Sequence, residues 1–170
     1  MKSILRLRHW QVFIILMLGL AISNLSHDSD PSLAPLLSVT GGTLYFLWPL
    51  VTAIGLYELL PTGVSLNFKL FIFNSFVWLA AHIVIIFISR DGTVTFNNTD
   101  LLPWLYVPYA FFHFLAFPAR TLKSIEKGRK ASFGEYILDF FLIVLLPLGI
   151  WVLQPRINKV AGIPWKNSSE

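Results

Sequence analysis

The sequence predicts an all-α integral membrane helical bundle of about five transmembrane helices, the fifth either crossing or re-entrant. Three observations carry this expectation. Of the 170 residues, 55% are hydrophobic and only 13% charged, against roughly 25% charged in an ordinary soluble domain. Apolar stretches near the ~20-residue length of a bilayer span recur along the chain. Five such spans occupy roughly 100 positions, and no stretch between them approaches the ~50 residues that a soluble catalytic or DNA-binding domain needs.

The first span is expected at residues 7–23, led by Lys2, Arg6, Arg8 and His9. This segment also fits a signal peptide, with Ala21-Ile22-Ser23 as a small-residue cleavage site. We expect a retained helix, because Ile4, Leu5 and Leu7 extend its apolar surface while Arg6 and Arg8 can snorkel to the headgroups. Asp30-Pro31 then reads as an N-cap and first helical position of a short surface helix through Leu37, and Gly41-Gly42 as punctuation. Span two covers residues 43–60 with Pro49 inside it, and Pro61-Thr62-Gly63 ends it. Span three covers residues 66–89, followed by the polar turn residues Arg90-Asp91-Gly92 and Asn97 to Asp100. Span four covers residues 101–122 and contains Pro103, Pro108 and Pro118. Span five covers residues 135–153, opened by Ser132-Phe133-Gly134-Glu135, an S-x-x-E capping box, and interrupted by Pro147 and Gly149. The second, fourth and fifth helices are expected to kink at proline.

Arg120, Lys123, Lys127, Arg129 and Lys130 crowd into one connection, relieved only by Glu126. Placing it and the N-terminus in the cytoplasm puts nine of the thirteen basic residues on that side. The same basic connection suits anionic lipid headgroups. A full crossing of span five leaves Arg156, Lys159 and Lys166 outside, whereas a fold-back at Pro147-Leu148-Gly149 returns them and leaves Arg90 as the external basic residue. We expect the full crossing, since 17 apolar-rich positions suffice and lipid-facing irregular backbone is not tolerated.

The stretches Ser132 to Tyr136, Asp139-Phe140-Phe141, Pro147 to Trp151 and Gln154 to Asn158 resemble the C-terminal third of an uncharacterised set of small bacterial multi-pass membrane proteins. The resemblance implies a bacterial, cytoplasmic (inner) membrane setting and brings no activity, ligand or catalytic residue with it.

Polar residues inside spans cost free energy and need a partner or a task. Glu58 and Lys69 are equidistant from the turn between spans two and three, so an ion pair closing that hairpin is expected, with a gate at the cytoplasmic mouth as the functional alternative. Asn67, Asn74, Trp78 and His82 share one face of span three, which should point inward; Tyr106, Tyr109, His113 and Arg120 share a face of span four. Counting from the connecting turn, His82 is level with residue 111, so His82 and His113 are expected to meet near mid-membrane in the company of Asn74 and Tyr109. Such a site is either a hydrogen-bonded polar core, a path for a polar ligand or proton, or a place for haem b or a metal ion. Glu135 and Asp139 share a face of span five, and a salt bridge from Arg120 to this face is expected to tie it to span four; carboxylates lining a cation entrance are the alternative.

The chain contains no cysteine, which excludes disulfides and thiolate metal sites. No P-loop, H-E-x-x-H, G-x-G-x-x-G or G-x-S-x-G pattern occurs, and nucleic acid is not an implied partner. The expected function is that of a small, non-enzymatic membrane protein: a transport component or an accessory subunit beside a larger membrane partner or a second copy of itself. An intramembrane redox or metal- or haem-binding protein using His82 and His113 is the alternative.

Overall fold

The computed structural model describes residues 5–25, 33–88 and 101–162. Among the described residues every regular element is a helix: α1 (His9–Leu25), α2 (Ala34–Tyr57), α3 (Phe68–Ile88), α4 (Leu101–Lys127), α5 (Phe133–Val144) and α6 (Leu146–Val160). The all-α expectation holds, and two helices, α2 and α3, are long and apolar enough to cross a membrane. Two compact units are built from these elements: Met1–Ile14, Trp48–Asn67 and Leu115–Glu170 form the first, and Ile15–Leu47 and Phe68–Phe114 the second.

The elements differ from expectation where tertiary contacts override local signals. α2 starts nine residues before the expected span and absorbs Gly41-Gly42, which we expected to interrupt the chain. Glycine weakens a helix by roughly 1 kcal/mol relative to alanine, but here close packing needs it. A Cβ at Gly41 would collide with Ser23 Oγ and the Gly19 carbonyl of α1, and one at Gly42 would collide with the His82 ring of α3. The helix interior therefore carries the two glycines as approach points, a small-residue crossing of the kind membrane helices use. The expected start of a surface helix at Asp30-Pro31 and the turn from Arg90 to Asp100 lie outside the described residues.

Prolines have unequal effects. α2 continues through Pro49, and α4 continues through Pro103, Pro108 and Pro118 to Lys127. The basic connection is thus largely the last turns of α4, where Lys127 complements the helix dipole. Gly128 ends that helix with φ +65, its N–H reaching the Ile125 carbonyl. Pro61-Thr62-Gly63 makes the expected turn after α2, with Gly63 at φ +91 and Val64 N–H donating to the Pro61 carbonyl at 3.1 Å.

Span five is not one helix. Pro147 has no N–H to donate and its ring crowds the preceding turn. The chain breaks at Leu145 (φ −93, ψ 44) and reverses into α6. A Cβ at Gly149 would overlap the Leu142 carbonyl, so glycine is what lets α5 and α6 pack backbone against backbone. At 1.5 Å per residue α5 is about 18 Å long and α6 about 22 Å, each short of the ~30 Å hydrocarbon core. The single helix expected over residues 135–153 is therefore replaced by a helical hairpin.

α6 organises the core of the first unit. Leu146, Ile150, Leu153 and Ile157 are buried along one face, with Leu5, Val12, Leu56 and Leu122 also buried in this unit. In the second unit Phe71 and Phe114 stack with ring centroids 6.0 Å apart. Phe46 packs edge-on to Trp78, His82, Phe111 and Phe114 at 5.5 to 6.1 Å.

Candidate functional site

One group of charges in the first unit centres on a guanidinium. Arg156 of α6 donates Nε and Nη2 to the two Glu126 oxygens of α4, both at 2.7 Å, and Nη1 and Nη2 to the Asp139 oxygens of α5 at 2.5 and 2.9 Å. Lys123 stands 3.6 Å from Glu126 and 3.9 Å from Asp139. The Asp139 side chain is only 5% exposed, so its charge depends on these cations. Burial pushes the Glu126 carboxyl up, but the hydrogen bonds and charges of Arg156 and Lys123 outweigh it and hold the group below the ordinary carboxylate value. The Glu126 and Asp139 hydrogen bonds in turn raise Arg156, which stays protonated.

A second charged cluster closes the connection between α4 and α5. Glu135 accepts from Lys127 at 2.5 Å and from Arg129 at 2.6 Å, and completes the expected capping box by accepting from the Ser132 N–H at 2.8 Å. The Lys127 hydrogen bond, followed by those from Ser132 and Arg129, holds its carboxyl far below the ordinary value. Ser124 Oγ donates to the Arg120 carbonyl and accepts from the Ala131 N–H.

Arg120 does not bind the carboxylates of α5, as we had expected it to. Its Nε donates to the Ala131 carbonyl at 3.2 Å, and its guanidinium lies 5.9 Å from the centroid of the Tyr136 ring. The expected tie between spans four and five exists, but Arg156 makes it, from a helix that returns after the Leu145 break. Glu58 and Lys69 are both exposed and neither makes an ion pair among the described residues.

Sequence reasoning also missed Gln154, whose side chain is 1% exposed. Its Oε1 accepts from Trp48 Nε1 at 3.3 Å, and its Nε2 donates to the carbonyls of Leu7 at 2.9 Å and Leu5 at 3.4 Å and to Asn158 Oδ1 at 3.2 Å. Asn158 Nδ2 reaches the Leu7 carbonyl as well, at 3.4 Å. Both carbonyls precede α1, so α6 fastens the segment entering α1. The signals were present: Gln154 and Asn158 are one turn apart, and Asp139 and Arg156 are equidistant from the 147–148 turn.

In the second unit α3 buries Phe71, Asn74, Ser75 and Ala81; of the four residues expected to face inward, Asn74 is buried, Trp78 and His82 are half-buried and Asn67 is exposed. Asn74 is fully buried and its Oδ1 accepts from Tyr106 OH at 2.7 Å, so Tyr106 of α4 takes the place foreseen for Tyr109. Tyr109 is 50% exposed and stacks on His113 with centroids 6.0 Å apart. His82 directs Nε2 at Gly42 and packs on Phe46 and Trp78, each 5.9 Å away. Phe111, the residue level with His82, lies on Trp78 at 4.4 Å. Asn74 Nδ2, Trp78 Nε1 and His82 Nε2 are buried polar atoms without a hydrogen-bond partner among the described residues, spaced one turn apart along α3. Among the described residues no group of three or more His, Cys, Asp or Glu side chains is placed to hold a metal ion.

Comparison with family models, with curated proteins and with solved structures finds no match to this chain.

Proposed function

We propose that the chain is an integral protein of the bacterial cytoplasmic membrane, with α1 to α4 crossing the bilayer and the α5–α6 hairpin entering and leaving the cytoplasmic leaflet. Its role there is that of a non-enzymatic accessory subunit beside a larger membrane partner. The observation that carries the membrane reading is α3. Only 17% of its apolar window is buried, and Phe73, Phe76, Val84 and Phe87 are exposed. A helix this apolar in a soluble protein is a core helix, whereas lipid accepts the exposed faces. Leu138, Phe141, Leu145 and Leu148, all more than half exposed, line the hairpin and suit the acyl region of one leaflet. Folding back at Leu145 also places twelve of the thirteen basic residues on one side, with Arg90 alone on the other, which improves on a full crossing under the positive-inside rule. The bacterial setting rests on the resemblance of the C-terminal third.

The non-enzymatic reading is supported by the carboxylates. Glu126 and Glu135 are held ionised below their ordinary range by bound cations, whereas a general acid or base works near the ambient pH. Asp139 is occupied by Arg156 and Lys123, so it is not open to a passing cation. One observation favours a second reading, a small transport component: the unpartnered Asn74, Trp78 and His82 atoms form a polar stripe along α3.

Topology reporters test the architecture. A fusion after Glu170 is expected to report the cytoplasm and one within residues 92–99 the outside; an external signal at Glu170 overturns the hairpin. For the role, tagged chain isolated from native membranes is expected to carry one stoichiometric membrane partner whose level drops when the chain is deleted. Isolation as a lone monomer, with uptake of a small solute lost on deletion, favours the transport reading instead.

A further inference from the structure

The described carboxylates of the first unit neutralise some of its cations and leave others uncompensated. Glu126, Asp139 and Glu135 engage Arg156, Lys123, Lys127 and Arg129. Arg6, Arg8 and Lys159 are exposed and make no ion pair among the described residues. Glu58, the other described carboxylate of this unit, lies in the turn after α2 and is likewise outside any described ion pair. The fold brings the backbone positions that carry these three cations close together. The Leu7 carbonyl, flanked by Arg6 and Arg8, is held by Gln154 Nε2 and Asn158 Nδ2, and Asn158 is the neighbour of Lys159.

Apolar surface adjoins this cationic rim. Trp151 of α6, 49% exposed, meets the His9 ring at 4.6 Å and the Phe13 ring at 5.8 Å. Trp10 and Ile14 follow along α1, 45% and 47% exposed. Indoles favour the headgroup boundary of a bilayer, where an apolar ring meets a polar edge.

We propose that Arg6, Arg8 and Lys159 form a site for the phosphate of an anionic phospholipid, whose acyl chains lie along Trp10, Ile14 and Trp151. Guanidinium forks match phosphate oxygens in bidentate geometry, and an ammonium adds a point charge. A free phosphate would satisfy the cations alone; a phospholipid satisfies the cations and covers the exposed indoles. The site also redirects the lipid-headgroup expectation made for residues 120–130, because Lys127 and Arg129 are already engaged by Glu135. The inference rests on the membrane reading above.

The test uses the full chain purified in neutral detergent, mixed with dioleoylphosphatidylglycerol or dioleoylphosphatidylcholine. Retained lipid is counted by native mass spectrometry and the unfolding temperature is followed in parallel. The expected result is a preference for phosphatidylglycerol of at least about tenfold, since each basic residue near an anionic surface contributes roughly fivefold. The preference should vanish in Arg6→Gln/Arg8→Gln/Lys159→Gln and persist in Arg6→Lys/Arg8→Lys and in Lys130→Gln. An equal affinity for both lipids in the wild type, or an undiminished preference in the triple variant, overturns the site. Should the triple variant not fold, Arg6→Gln/Arg8→Gln and Lys159→Gln are read separately, and full preference in both overturns it. Glycerol phosphate that displaces the lipid at equal concentration assigns the cations to a soluble phosphate and overturns the lipid assignment. Failure of the membrane reading would show in the topology reporters and in release of the chain from membranes by alkaline carbonate; failure of this site leaves both unchanged.

Discussion

Arg156 and Asp139, seventeen residues apart, face each other across the α5–α6 hairpin through two hydrogen bonds of 2.5 and 2.9 Å. The same guanidinium reaches Glu126 of α4, so a single side chain joins three helices. This relationship explains why the C-terminal segment returns: a buried carboxylate needs a cation, and in this fold Arg156, with Lys123 beside it, supplies one.

Arg156→Gln should therefore be costly. It leaves Asp139 buried with only the more distant Lys123, and a loss of about 2–3 kcal/mol is expected, below the 3–5 of a fully buried pair because Arg156 is 26% exposed. Thermal unfolding in detergent measures it. The double variant Arg156→Gln/Asp139→Asn should recover part of the loss, because the uncompensated charge is then gone; no recovery would argue against the pairing.

Acid should loosen the same contacts. The folded-state carboxyls of Glu126 and Glu135 titrate below their ordinary value of 4.5, so their contribution to stability is complete above that pH and is lost as pH falls through the depressed folded values. Unfolding temperature followed from pH 7 to 3 should stay level and then fall below about 4.5. In Glu126→Gln/Glu135→Gln the acid-dependent fall should shrink.

Gln154→Leu is nearly isosteric yet strands the Trp48 indole N–H and the Leu5 carbonyl and leaves the Leu7 carbonyl with Asn158 alone. A loss of about 1–3 kcal/mol is expected for leaving buried polar groups unmet. Proteolysis within residues 5–8 should accelerate, because α6 then holds that segment only through Asn158. Unchanged cleavage would mean that Asn158 alone fastens it.

The seat of His82 on Gly42 can be probed with a single methyl. Gly42→Ala drives a Cβ into the imidazole, whereas Gly134→Ala meets nothing within 4 Å. The first should destabilise by about 1–3 kcal/mol through overpacking, and the second should be neutral or slightly stabilising. His82→Ala in the Gly42→Ala background should restore much of the loss; additive losses in the double variant would place His82 away from Gly42.

The sequence by itself determined the helical class, the turn at Pro61-Thr62-Gly63, the capping box of Ser132 and Glu135, and the burial of Asn74 on the inner face of α3. Each is written in adjacent residues or in a helical period, so local sterics, hydrogen bonding and apolar spacing decide it. One continuous helix against a break near Pro147 was a choice between two locally acceptable paths. Tertiary structure decided it, through Gly149 packing on Leu142, Arg156 pairing with Glu126 and Asp139, and Gln154 capturing the segment before α1. The same holds for Gly41 and Gly42, which read as a break in isolation and become helix once Ser23 and His82 pack against them. In each case the deciding partner is distant in the chain, and its free energy enters only when the helices have met.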